Sequence, residues 1–96
     1  MLSKTQKKFL KGLANPLKAL VTIGKGGLTE NIIRSIDEVL TAHELVKVSV
    51  LNTCAQSADE LSVEIAAATG SEIIAITGRK MVFFRKEKDG TIELPR

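Results

Sequence analysis

The residues with the clearest chemical potential lie in one short string, Gly24-Lys25-Gly26-Gly27. Three glycines in four positions leave the main chain without Cβ atoms, so it can adopt left-handed torsions and bring its N–H groups close to a ligand. Thr29 follows as a helix N-cap, which sets unsatisfied donors and the positive end of a helix dipole beside the loop. Lys25 adds a full charge between the glycines. Amides, dipole and ammonium together select an anion, and a phosphate fits that description. The competing use of the string is a tight strand-to-helix turn with no ligand.

A second set of cations lies upstream. Lys4, Lys7, Lys8 and Lys11 fall at i, i+3, i+4 and i+7, one face of a helix. Residues 1–27 contain these four, Lys18 and Lys25 and no acid, a balance of +6, whereas residues 28–78 carry two bases against eight acids and balance at −6. Residues 79–96 return to +3, so the modest net charge of +3 hides strong segregation. Such a field suits a polyanion, the alternative being a solvated lysine face that only keeps the chain soluble. Arg79 and Lys80 follow Gly78 at a predicted turn and are candidates for further backbone contacts.

Other chemistries find little support. One cysteine, Cys54, and one histidine, His43, provide neither an internal disulfide nor a structural metal site, and no cofactor is expected. His43 reads as a favourable charge near a helix C-terminus, and Arg34 as the partner of Asp37 or Glu38 at helical spacing. No nucleophile has an evident base, so the chain is expected not to be an enzyme. The Walker pattern is absent. A dinucleotide fingerprint beginning at Gly24 meets Thr29 where a small residue belongs, with Glu44 at the ribose-acid spacing by coincidence. Three phenylalanines with no Trp or Tyr argue against recognition by base stacking. No apolar run reaches the roughly 18 to 20 residues that cross a bilayer, and the lysine-broken N-terminus lacks a signal-peptide core, so a cytoplasmic protein without a membrane partner is expected.

The elements that must hold these residues follow from periodicity. Ser3 and Gln6 form a capping-box pattern, and Phe9, Leu10 and Leu13 recur at helical spacing until Asn15-Pro16, which predicts a helix over 3–14. Residues 19–23 read as a strand, and Thr29 opens a helix to about Ala42 with Ile32, Ile33, Ile36, Val39 and Leu40 on its buried stripe. Leu45 to Leu51 alternates as a strand should. Ser57 and Glu60 repeat the capping box for a third helix ending at Thr69-Gly70. Ile73–Thr77 and Met81–Arg85 then form a hairpin with a basic tip, and residues 86–96 form a loose extension. The 96 residues make one domain of α-β-α-β-α-β-β order: a two-layer α/β fold with a four-stranded mixed sheet and its second and third helices on one side. Acids on those two helices would solvate their outer faces and repel a polyanion.

Gly24 to Gly27 matches the G-x-x-G loop of KH domains, but that loop joins two helices and here a strand precedes it. The combination of Lys11-Gly12-Leu13-Ala14-Asn15-Pro16-Leu17-Lys18, Ile23-Gly24-Lys25-Gly26-Gly27-Leu28-Thr29, Glu44-Leu45-Val46-Lys47-Val48 and Ile76-Thr77-Gly78-Arg79 instead resembles the CRM domain in its free-standing bacterial YhbY-like form. That resemblance implies RNA binding, association with precursors of the large ribosomal subunit, and a fold similar to the C-terminal domain of translation initiation factor 3 with an added N-terminal helix. It implies RNA contact at Gly24, Lys25, Gly26 and Gly27, with basic residues around them. The expected partner is therefore RNA, in particular ribosomal RNA, gripped by a monomer that takes no small-molecule substrate. Two other classes compete: a ribosome-associated factor that docks on protein and uses its lysines for steering, and a small nucleotide-binding enzyme.

Overall fold

The computed structural model describes residues 2–95. It contains, in chain order, α1 (Lys4–Ala14), β1 (Val21–Ile23), α2 (Glu30–His43), β2 (Leu45–Val50), α3 (Ala58–Thr69), β3 (Glu72–Thr77) and β4 (Lys80–Phe84). Both capping boxes form: Ser3 Oγ accepts from the Gln6 amide and Ser57 Oγ from the Glu60 amide, while the Gln6 and Glu60 side chains reach back to the cap amides. Thr29 caps α2 by accepting from the Ile32 amide at 3.2 Å.

The sheet has the order β1-β2-β4-β3, with β1 and β2 parallel and the other neighbours antiparallel. Helices α2 and α3 cover one face and pack on Val21, Ile23, Val46, Val48, Val50, Met81 and Phe83. This is the expected two-layer body. The N-terminal helix adds a partial third layer on the opposite face, where Leu10 and Ala14 bury against Leu45, Ile74, Val82 and Phe84. A bulge at Ile73–Ala75 breaks the period of two in β3 and turns both Ile74 and Ala75 toward α1.

Two expectations are corrected. The extension after β4 is not loose: Glu44, buried at the C-cap of α2, accepts from the Glu87 and Ile92 amides at 2.9 and 3.0 Å, and Gln6 Nε2 donates to the Pro95 carbonyl. Ile92 and Leu94 complete the cluster beneath α1; Arg96, counted with the extension, lies outside the described residues. Glu44 has φ of 65°, a left-handed torsion that costs a residue with a side chain about 1–2 kcal/mol. Its carboxylate contacts explain why a glutamate occupies a position that usually holds glycine.

Arg34 has no ion pair among the described residues: Asp37 pairs with Arg85 instead, and Glu38 forms no ion pair there either. Arg85 also bonds Glu87, Thr41 and the Thr69 carbonyl, tying α2, the end of α3 and the C-terminal segment together. Sequence spacing within one helix could not reveal a competitor 48 residues away.

Candidate nucleic-acid interface

The topology brings the glycine loop, Arg79 and Lys80 together at one end of the sheet. Parallel β1 and β2 both finish there, β3 ends there and β4 begins there, so the loops after β1 and β2 and the β3–β4 turn are neighbours. Main-chain bonds lock them together: the Leu51 amide donates to the Ile23 carbonyl at 2.8 Å and the Val50 amide to the Arg79 carbonyl at 2.7 Å. The Arg79 guanidinium also reaches the Leu51 carbonyl.

Within the glycine loop, the Gly27 amide donates to the Gly24 carbonyl at 3.0 Å, closing a β-turn with Lys25 and Gly26 at its tip. Only Gly27 has a positive φ, 71°. A Cβ at Gly24 would stand 3.4 Å from Leu51 Cδ1, a van der Waals contact between the two loops, and Gly24 has no left-handed torsion. Nothing stands within 4 Å of a Cβ built on Gly26. The tip is therefore open, with Lys25 exposed and the amides of Lys25 and Gly26 donating to no group among the described residues. Glu30 sits in the first turn of α2 and answers the positive end of that helix dipole. Lys25 and the turn amides, more than the helix terminus, are left to meet an anion.

The lysine row lies on the other side of the sheet. Lys11, Lys47, Thr77 and Lys80 line one groove of about 160 Å³ between the last turn of α1 and the strands. Lys4, Lys7 and Lys8 continue the row from that groove along α1, over about 10 Å at 1.5 Å per residue. Lys18 is placed apart: it borders an apolar groove of about 360 Å³ with Leu13, Leu17, Leu20, His43 and Ile92. Lys47, which the sequence reading passed over, positions the end of α1. Its ammonium donates to the carbonyls of Ala14, Asn15 and Leu17 at 3.3–3.4 Å, neutralising the negative end of α1 and fixing the helix to β2. A lysine on the polar side of an alternating strand was the only available sign, and it does not reveal a helix end above it.

Charge follows the layers. Helix α1 carries +4 from its lysines and no acid, whereas α2 balances at −2 and α3 at −3. Cys54 is buried in the core beneath α2 and α3.

An α/β module with an open glycine turn at one sheet end and a lysine-bearing helix across the sheet defines a small basic binding domain. Residues 2–85 match the CRS1/YhbY (CRM) domain, and the chain belongs to that family. It is 35% identical to the Bacillus subtilis protein named probable RNA-binding protein YqeI, over 99% of this chain and all of the relative. It is 36% identical to a Haemophilus influenzae protein named RNA-binding protein, over 99% of this chain and 96% of the relative. A Staphylococcus aureus protein solved in solution, and described there as a candidate RNA binder, superposes with a TM-score of 0.84 at 40% identity, covering 99% of this chain and all of the other.

Proposed function

We propose that this chain is a non-enzymatic RNA-binding protein that grips the phosphate backbone of structured RNA, ribosomal RNA in large-subunit precursors being the expected target. It acts as a cytoplasmic monomer. The observation that carries the reading is the one-signed, acid-free helix α1 set on the same molecule as an open, lysine-tipped glycine turn, with the acidic helices α2 and α3 on the far face. Lys25, the Lys25 and Gly26 amides, Arg79 and Lys80 would hold phosphates at the sheet end, and Lys4, Lys7, Lys8 and Lys11 would extend the track. The names of the relatives support RNA as the ligand. With few aromatics, shape and backbone dominate over base identity.

Binding to a stem–loop RNA free of protein, titrated across salt, tests this. If about four to six phosphates are engaged, log affinity should fall against log salt with a slope of roughly −3 to −5. Lys25→Glu should lower affinity at least tenfold with the fold intact by circular dichroism. A flat salt response, or unchanged affinity in that variant, rejects the reading. The exposed apolar groove at Leu13, Leu17 and Leu20 favours a second reading, a factor that docks on protein and uses its lysines for steering. Failure to bind RNA stripped of protein would favour it. A nucleotide enzyme would instead show a rise in melting temperature with free nucleotide.

A further inference from the structure

Above the part of the sheet that α1 covers, the strand register lines up four polar side chains. Thr22 pairs with Ser49, Ser49 with Lys80, and Lys80 with Thr77, so one residue from each strand forms a single rung across the whole sheet. Paired residues point to the same side, and the Val21, Val48, Val50 and Met81 neighbours point into the α2/α3 core. The rung therefore projects on the α1 side. At about 4.8 Å between strands it is about 14 Å long. Thr22, Thr77 and Lys80 are exposed and Ser49 is partly so, and none of the four side chains bonds another group among the described residues. Solvent satisfies these three hydroxyls, so they are free to exchange water for a ligand, unlike the buried side-chain polar atoms described, all of which are bonded within the protein.

We propose that this rung is a track for the ribose–phosphate backbone of a single RNA strand and that its hydroxyls read the ribose 2′-OH. The inference rests on the RNA-binding reading and names the part of the ligand that the sheet would take. One end of the rung lies two residues before Gly24, and the other leads directly into Gly78 and Arg79. Lys11 and Lys80 share the groove that α1 raises beside it, and among the described residues no carboxylate lines that groove. Its 160 Å³ equals about five water volumes, room enough to seat one sugar–phosphate unit. An acidic peptide strand would bind a sheet edge through main-chain bonds. The rung lies on the face of the sheet, which, unlike the β1 and β3 edges, offers hydroxyls and ammonium groups rather than main-chain groups. Hydroxyls donate and accept, as a 2′-OH does, whereas lysines answer the phosphates.

The probe is a stem–loop RNA carrying a single-stranded tail of either uridine or deoxyuridine, measured by fluorescence anisotropy on the full chain. The ribose tail should bind about tenfold more tightly than the deoxyribose tail, the worth of one or two net hydrogen bonds. In Thr22→Val/Ser49→Ala/Thr77→Val that preference should collapse toward unity, while the salt slope stays the same. Lys25→Glu should weaken both probes by the same factor and leave the preference intact. If the triple variant is not folded, Thr77→Val alone, at an exposed strand end, should reduce the preference about two- to threefold. No tail preference in the native chain, or an unchanged preference in these variants, overturns the rung while stem–loop binding keeps the RNA reading. Absence of binding to either probe overturns that reading and the rung with it. Displacement of both probes by an acidic peptide, with no tail preference, would reassign the surface to a protein partner.

Discussion

The two faces of the sheet are built from the same alternating strands and serve opposite ends. Facing α2 and α3, every inward residue of β1, β2 and β4 is apolar, and the covering helices carry net negative charge outside. Facing α1, the lowest row is apolar at Leu45 and Phe84, the middle row pairs Val82 with Lys47, and the top row is polar at Ser49 and Lys80. A period of two fixes which side a residue takes but not whether anything will cover it. One face is closed as a core from end to end. The other ends in a step, and the charge left on that step has one sign, which under the proposed function would orient a polyanion toward α1.

The largest effects should follow the core rather than the step. Phe83 is fully buried under α2 and α3, and Phe83→Ala should cost about 3–5 kcal/mol in chemical denaturation. Leu10, equally buried but in the smaller α1 cluster, should cost about 2–3 kcal/mol on truncation to Ala. Leu10→Ala should also weaken RNA binding, since the lysine row loses its seat. A cost at Leu10 equal to that at Phe83 would mean that the two faces of the sheet contribute alike to stability.

The next effect concerns the segment that seals the lower edge of the α1 face. Burial alone would raise the Glu44 carboxyl, but the Glu87 and Ile92 amides and the Lys86 ammonium outweigh it and hold the group below its ordinary value of 4.5. A carboxyl lowered on folding stabilises the native state above the unfolded value, and that contribution is lost as pH falls through the native value. Glu44→Gln should cost about 1–3 kcal/mol at neutral pH and flatten the acid limb of a stability–pH curve. Gly90→Ala should act in the same direction, because a Cβ there overlaps the Glu44 carboxylate. An unchanged acid limb in Glu44→Gln would remove Glu44 from the account.

How far the sequence foretold this molecule depends on the range of each interaction. Helix starts at Ser3, Thr29 and Ser57 were legible because a capping side chain reaches only three residues along the chain. The strand order was only partly legible: alternation marked β2, but the placement of β4 between β2 and β3 rests on pairing across the chain. The glycine turn and its lysine were legible as a local string, whereas its neighbours Leu51 and Arg79 come from other elements. Glu44, Arg85 and Lys47 were misread or passed over for one reason. Each serves a partner more than 25 residues distant, and each sits at an ordinary-looking position in its own element.

The smallest effect is the sharpest test of one-sided binding. Lys8 on α1 and Glu38 on α2 are both exposed and lie within helices on opposite faces of the sheet, so reversing either changes the charge equally at little structural cost. Each reversal should leave stability within about 0.5 kcal/mol. Lys8→Glu removes a cation from the phosphate track and should lower the salt slope by about 1, with a matching loss of affinity. Glu38→Lys acts only through the long-range field, which is screened over about 8 Å at physiological salt, so its gain should stay under about twofold and vanish as salt rises. If Glu38→Lys instead strengthened binding as much as Lys8→Glu weakened it, RNA would be touching the α2 face. The contrast between the two sides of the sheet would then describe the core and not the interface.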